Sequence, residues 1–238
     1  NFMAKKILSF FILWRLLTII FALIVRPFIA PQTLFMAGKF GVSLPYMIHV
    51  WGNFDGTHYL EIARRGYQTW EQGFFPLYPL FIFIFQKTTQ LPYLLVAFII
   101  SNISFLIACV LFYKLLLVEC KEKLSTLFFL CVFLWPTSFF YGAIYNDSLF
   151  LVLTLSSMYF ARRKHWVLSS IAASFATLAR LNGLALLIFI IAEYMEQKKI
   201  VFPFKKKDLI DAWKNKLFSV FLIPLFFIGY LGFVHLRF

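Results

Sequence analysis

Long apolar runs, separated by short clusters of lysine and arginine, constrain this chain more than anything else in it. Ile7 to Val25 and Tyr93 to Val118 are the clearest. A helix rises about 1.5 Å per residue, so about 20 apolar residues cross the roughly 30 Å hydrocarbon core of a bilayer. Leu124–Phe140, Ser148–Ala161 and Leu217–His235 read as further spans. Val167–Met195 is apolar but interrupted at Arg180-Leu181-Asn182-Gly183, which predicts two short helices meeting at a turn. Leu77–Gln86 is about half a span and suits an interfacial or re-entrant helix. Hydrophobic residues make up 62% of the chain, against about 45–50% in soluble domains. The 33 phenylalanines are tolerable against lipid and would aggregate in water. The predicted fold is all-α, a polytopic membrane protein of about seven membrane helices forming one domain over residues 1–238.

The formal net charge of +13 does not point to nucleic acid, because the cations sit between apolar runs. Their distribution orients the chain. With the N-terminus inside, the inner segments hold Lys5, Lys6, Lys114, Lys121, Lys123, Arg162, Arg163 and Lys164. A basic cytoplasmic loop at 196–216 adds Lys198, Lys199, Lys205, Lys206, Lys207, Lys214 and Lys216. The outer segments hold Arg26, Lys39, Arg64, Arg65 and Lys87. This three-to-one bias predicts a cytoplasmic N-terminus. It puts the long segment 26–92, the break at Tyr141–Asp147 and the Arg180–Gly183 turn on the outer face. Arg15 lies inside the first run and has no assigned side. Cys109, Cys120 and Cys131 form no metal-binding or disulfide pattern. The first run is not a cleavable signal, since it is long and leads into further spans. A start at Asn1 and an end in an apolar run predict an N-terminal part of a longer chain.

Within 26–92, Asp55 to Gly66 (DGTHYLEIARRG) predicts a short amphipathic helix, with Glu61 and Arg65 paired across one turn and Gly66 as the stop. Asp55 and His58, three residues apart, share a face. A carboxylate beside an apolar surface suits a general base; it equally suits a helix cap, and His58 equally suits an interfacial position.

The run Phe54-Asp-Gly-Thr-His-Tyr-Leu-Glu-Ile-Ala-Arg-Arg-Gly-Tyr67, followed by Phe74-Phe-Pro-Leu-Tyr-Pro79, resembles the first outer loop of the GPI mannosyltransferase II family (PIG-V type) and its prokaryotic relatives. Trp135-Pro-Thr-Ser-Phe-Phe-Tyr-Gly-Ala-Ile-Tyr-Asn-Asp-Ser-Leu-Phe150 resembles a second family motif, and Ala179-Arg-Leu-Asn-Gly183 a third. All three occur in family order across essentially the whole chain. Two positions depart: Phe54 stands where the family has Trp, and Asp147 where Glu is common.

The resemblance implies a GT-C-like bundle whose long first outer loop carries short interfacial helices. It implies transfer of a hexose, mannose or one like it, from a polyprenyl- or dolichyl-phosphate donor to a glycan, glycolipid or protein acceptor. Transfer would occur at the outer (periplasmic or lumenal) face, with inversion and with no metal or other cofactor. Asp55 is the implied catalytic base. Arg180 is the implied partner of the leaving phosphate, with Arg64 and Arg65 as alternatives, and Tyr145, Asp147 and Asn182 would orient sugar hydroxyls. Asp147 also suits a cap on the following span. His58 and Tyr78 belong to the same substrate-binding set, although a structural part in the loop suits them, and Pro76, at least as well. A transporter or lipid flippase would instead predict inverted repeats and polar residues in both halves of the bundle, which are not seen. A non-catalytic scaffold would predict that Asp55 is dispensable.

Overall fold

A computed structural model describes residues 2–28, 45–201 and 205–238. Residues 29–44 of the predicted outer segment, Lys39 among them, and 202–204 of the basic loop lie outside the described residues. Among the described residues the protein is all-helical. The helices are α1 Phe2–Val25, α2 Tyr46–His49, α3 Asp55–Arg65, α4 Leu77–Thr89, α5 Tyr93–Glu119 and α6 Glu122–Leu134. They continue with α7 Asp147–Arg162, α8 Trp166–Ala179, α9 Ala185–Lys198, α10 Lys206–Lys214 and α11 Leu222–Arg237. Among the described residues, three segments are long and apolar enough to cross a membrane: Ala4–Phe28, Tyr93–Glu119 and Leu217–Arg237. The helices over the other predicted spans, α6 to α9, are 13 to 16 residues long.

Two expectations need correction. The predicted span Leu124–Phe140 stops as a helix at Leu134, because Pro136 pushes Trp135 into extended backbone (φ −65°, ψ 131°). The chain continues as a 3-10 turn over Ser138–Gly142. The basic segment 196–216 is not all loop. It contains α10, whose start is fixed by the Asp208 carboxylate accepting from the Lys205 backbone N–H at 2.8 Å.

Contacts divide the protein into two compact units, Asn1–Phe74 with Tyr78–Leu149, and Phe75–Leu77 with Phe150–Phe238. The core of the first unit is aromatic. Trp14 of α1 lies 4.9 Å from Phe105 of α5, which stacks on Tyr141 at 4.8 Å and meets Phe133 of α6 edge-on at 5.6 Å. The Trp14 indole donates to the Ser138 hydroxyl at 3.1 Å, which satisfies its buried N–H. The outer side of α1 leaves Leu13, Leu17, Phe21 and Ile24 open, a face suited to lipid.

The second unit packs through small residues. Ser169, Ser170, Ala173, Ser174, Ala176 and Thr177 of α8 are all buried. Such residues let helix backbones approach closely, and α11 runs along α8. Ser170 accepts from Ser219 at 2.9 Å, and Ser157 and Ser169 share a hydrogen bond at 3.1 Å. Trp166, Tyr194 and Ile190 fill the space beside this seam.

Candidate active site

The site is built where the first two motifs meet, within the first unit. A turn at 50–53 is held by the Trp51 indole donating to Met47 O (2.8 Å) and the Asn53 amide donating to Val50 O (3.1 Å). Phe54 follows with φ 56° and ψ −123°, a sparsely populated conformation for a residue with a side chain, and it is 67% exposed. Helix α3 starts at the next residue. Phe54 therefore occupies the cap position that the sequence offered to Asp55, and no side chain caps this end. Asp55 is instead the first helical residue and is exposed. A carboxylate there is favoured by the positive end of the helix dipole. Gly66, with φ 79°, ends α3, and its N–H bonds Ile62 O at 2.9 Å.

The break after the 3-10 turn comes against this helix start. Ile144 N–H donates to Trp51 O at 2.8 Å. A Cβ on Gly56 would lie 3.0 Å from Ile144 O, so the absence of a side chain at position 56 allows the two segments to touch. The Tyr145 hydroxyl donates to Asn53 O at 3.3 Å and takes a hydrogen bond from the Asp55 backbone. Burial first, then the negative charge of Asp55 and, more weakly, that of Asp147, push the Tyr145 phenol up to about 12, while the bond from the Asp55 backbone acts in the opposite direction. Tyr145 is therefore a neutral hydroxyl donor at physiological pH, set in the field of two carboxylates from two motifs.

The remaining sequence-predicted residues divide into three groups. Tyr78 lies under the site and is wholly buried. Its hydroxyl lies 3.0 Å from Ala97 O and 2.7 Å from the Ser101 hydroxyl, which is itself 3.3 Å from Tyr145 O; the two protons make two of these three contacts at a time. His58 is partly exposed, stacks on Phe74 at 4.7 Å and lies 3.9 Å from the Glu71 carboxylate. Arg64 is exposed at the end of α3. Arg65, its alternative, is committed to Glu61 (2.6 Å) and Glu71 (3.0 Å).

Arg180 and Asn182 belong to the second unit. Arg180 caps α8 in extended backbone (φ −152°, ψ 145°) with its guanidinium 6.0 Å from the Phe150 ring, and Asn182 is exposed on the 3-10 turn that follows. The break at Arg180–Gly183 is thus a real elbow. Gly183 N–H bonds Arg180 O at 2.9 Å. A Cβ at 183 would fall 2.4 Å from Thr177 N and 2.6 Å from the Ala176 carbonyl carbon.

Two supporting residues were not legible in the sequence. Glu71 is buried and takes bonds from Arg65 and from the Gln68 N–H (2.8 Å), which folds residues 66–74 back onto α3. Ser101 reads as a small residue in a span, and only the folded structure places it between Tyr78 and Tyr145. Among the described residues, no group of three His, Cys, Asp or Glu side chains is placed to hold a metal ion.

Compared with models of protein families, the chain matches mannosyltransferase (PIG-V) over residues 4–237. A search of curated proteins and a search of solved structures found no match.

Proposed function

Because the chain belongs to the mannosyltransferase (PIG-V) family, and is thereby a membrane glycosyltransferase, we propose that it takes a hexose, mannose or one like it, from a polyprenyl- or dolichyl-phosphate carrier. The sugar passes to a hydroxyl of a glycan, glycolipid or protein at the outer or lumenal face, in a GT-C-type fold. Asp55 removes the proton from the acceptor hydroxyl while that oxygen forms its bond to the sugar C1. The bond from C1 to the carrier phosphate breaks from the opposite side, which inverts the anomeric centre. The proton stays on Asp55 and the electron pair leaves with the phosphate.

The observation that carries this reading is the meeting of an exposed Asp55, at a helix start behind a strained Phe54, with Tyr145 from the second motif. With its one proton given to Asn53 O, the Tyr145 oxygen suits accepting from a sugar hydroxyl, and Asp147 suits accepting from another. His58 and Arg64 line the exposed side of α3 and are assigned to the acceptor. Tyr78 holds the site from beneath. Arg180 and Asn182, on the elbow of the second unit, keep the substrate-binding part that the third motif implies; an arginine in an apolar stretch favours an anionic partner. The lysine and arginine bias of the connecting segments supports an outer or lumenal site and a cytoplasmic N-terminus.

The test is transfer of labelled mannose from polyprenyl-phosphate-mannose in membranes containing the full-length protein. Asp55→Asn is expected to lose at least about 10³-fold in turnover, the range of a positioned base, with normal yield and melting. Turnover within tenfold of wild type in that variant would remove Asp55 from the chemistry.

A further inference from the structure

Arg15 has no part in the chemistry above, yet its surroundings are unusual. It lies midway along the candidate span Ala4–Phe28 and is 8% exposed. Among the described residues, none of its three side-chain nitrogens has a hydrogen-bond partner. Aromatic rings surround it instead. The guanidinium carbon is 4.3 Å from the Trp51 ring, 4.8 Å from Phe98 and 5.9 Å from Trp14. Its Nη1 presses on Gly142 so closely that a Cβ there would lie 2.2 Å away.

A desolvated cation over indole and phenyl faces is attracted by their quadrupoles, most strongly where water is excluded. Two of these neighbours, Trp51 and Gly142, belong to segments that build the site. Trp51 precedes Asp55 by one turn and accepts from Ile144; Gly142 precedes Tyr145 in the same break and accepts from the Asn102 amide at 3.5 Å. Both site-forming segments therefore rest on one side chain of α1.

We propose that Arg15 is a positioning residue for the transfer reaction. Its guanidinium clamps the Trp51 turn to the Gly142 segment and thereby sets Asp55 against Tyr145. The inference rests on the assignment of Asp55 and Tyr145 to the site. It makes an unusual prediction about stability. A charge buried without hydrogen bonds is unfavourable in itself, so an apolar side chain of similar length is accommodated at least as well. Stability and turnover should then move in opposite directions.

The experiment compares full-length wild type with Arg15→Met, Arg15→Lys, Gly142→Ala and the Arg15→Met/Gly142→Ala double variant. Labelled polyprenyl-phosphate-mannose gives kcat and KM, and the melting temperature and hydrogen exchange of the 141–147 segment are measured on the same preparations. Arg15→Met is expected to melt at or above wild type, to lose about 10- to 100-fold in kcat with KM within about twofold, and to exchange faster at 141–147. Arg15→Lys keeps the cation and is expected to recover most of both. Gly142→Ala displaces the guanidinium and should resemble Arg15→Met, and the double variant should lose less than the product of the two. Wild-type kcat in Arg15→Met, a kcat loss that follows a lower melting temperature, or no recovery with lysine would each overturn the proposal. If the wild type itself transfers nothing, the mannosyl-transfer reading fails, and the clamp is judged on exchange alone. Unchanged exchange at 141–147 in Arg15→Met would then overturn it.

Discussion

Arg15 and Arg180 are both arginines in apolar stretches, each followed by leucine, yet the backbone treats them differently. Around Arg15 the helix continues unbroken from Phe2 to Val25, and the cation is met by rings from other segments. At Arg180 the helix ends, the residue becomes extended, and a new helix begins five residues later. The arginine is not what differs. Two and three residues on, the first site has Leu17 and Thr18, whereas the second has Asn182 and Gly183, and Gly183 lies on the backbone of Ala176 and Thr177 where no other residue fits. A buried cation is compatible with a continuous helix. The small residue after it, and the surface it packs on, decide whether the helix breaks.

The sharpest way to break this comparison is Gly183→Ala. Its Cβ meets main-chain atoms at 2.4–2.6 Å that no rotamer change relieves. A loss of at least about 3 kcal/mol is expected, read as lost folded yield and a lower melting temperature. A well-folded alanine variant would mean that the elbow tolerates a shift and that Gly183 does not define it.

Arg180→Gln comes next and separates the arginine from the break. The elbow should persist, with an unchanged melting profile, while mannosyl transfer falls about 10²-fold, or about 2.7 kcal/mol. A loss of folding in place of activity would make Arg180 a structural element of the elbow.

The smallest effect is expected from writing the elbow sequence into α1. Leu17→Asn with Thr18→Gly turns Arg15-Leu-Leu-Thr18 into Arg-Leu-Asn-Gly. Leu17 is open to the outside, and Thr18 only returns its hydroxyl to Arg15 O at 2.9 Å. Helix propensity alone costs less than about 1 kcal/mol here, a fall of a few degrees, and exchange should show α1 still continuous. An α1 that opens at these residues would show that four residues suffice to specify the break.

Local features were the ones legible in the sequence. The extent of α3, its Gly66 stop and the Glu61–Arg65 pair follow from spacing within one or two turns, and so does the elbow. The long apolar segments identified a membrane protein because length and hydropathy alone decide that. What was missed depends on distant contacts or on competition between signals. Helix α6 ends six residues before the apolar run does, because Pro136 constrains Trp135 although Phe139 and Phe140 continue the run. Helix α10 is hard to see in the sequence because lysines crowd the helical spacing of Leu209, Ile210 and Trp213. The surroundings of Arg15 are not legible in sequence because its rings come from Trp51 and Phe98, and no spacing rule connects them. At the site, the residues of each motif were nameable, but the contact of Gly56 with Ile144 was not.

The bond from the Tyr145 hydroxyl to Asn53 O joins residues 92 positions apart. Protein synthesis runs from the N-terminus, so the Trp51–Asp55 turn emerges long before its counterpart exists. It must wait while α4, α5 and α6 are made. Closing so long a loop is entropically costly, and only the later segment supplies the contacts that compensate for it. A nascent chain arrested before residue 141 thus carries the Trp51–Asp55 turn without Ile144 and Tyr145, the residues it bonds in the finished fold.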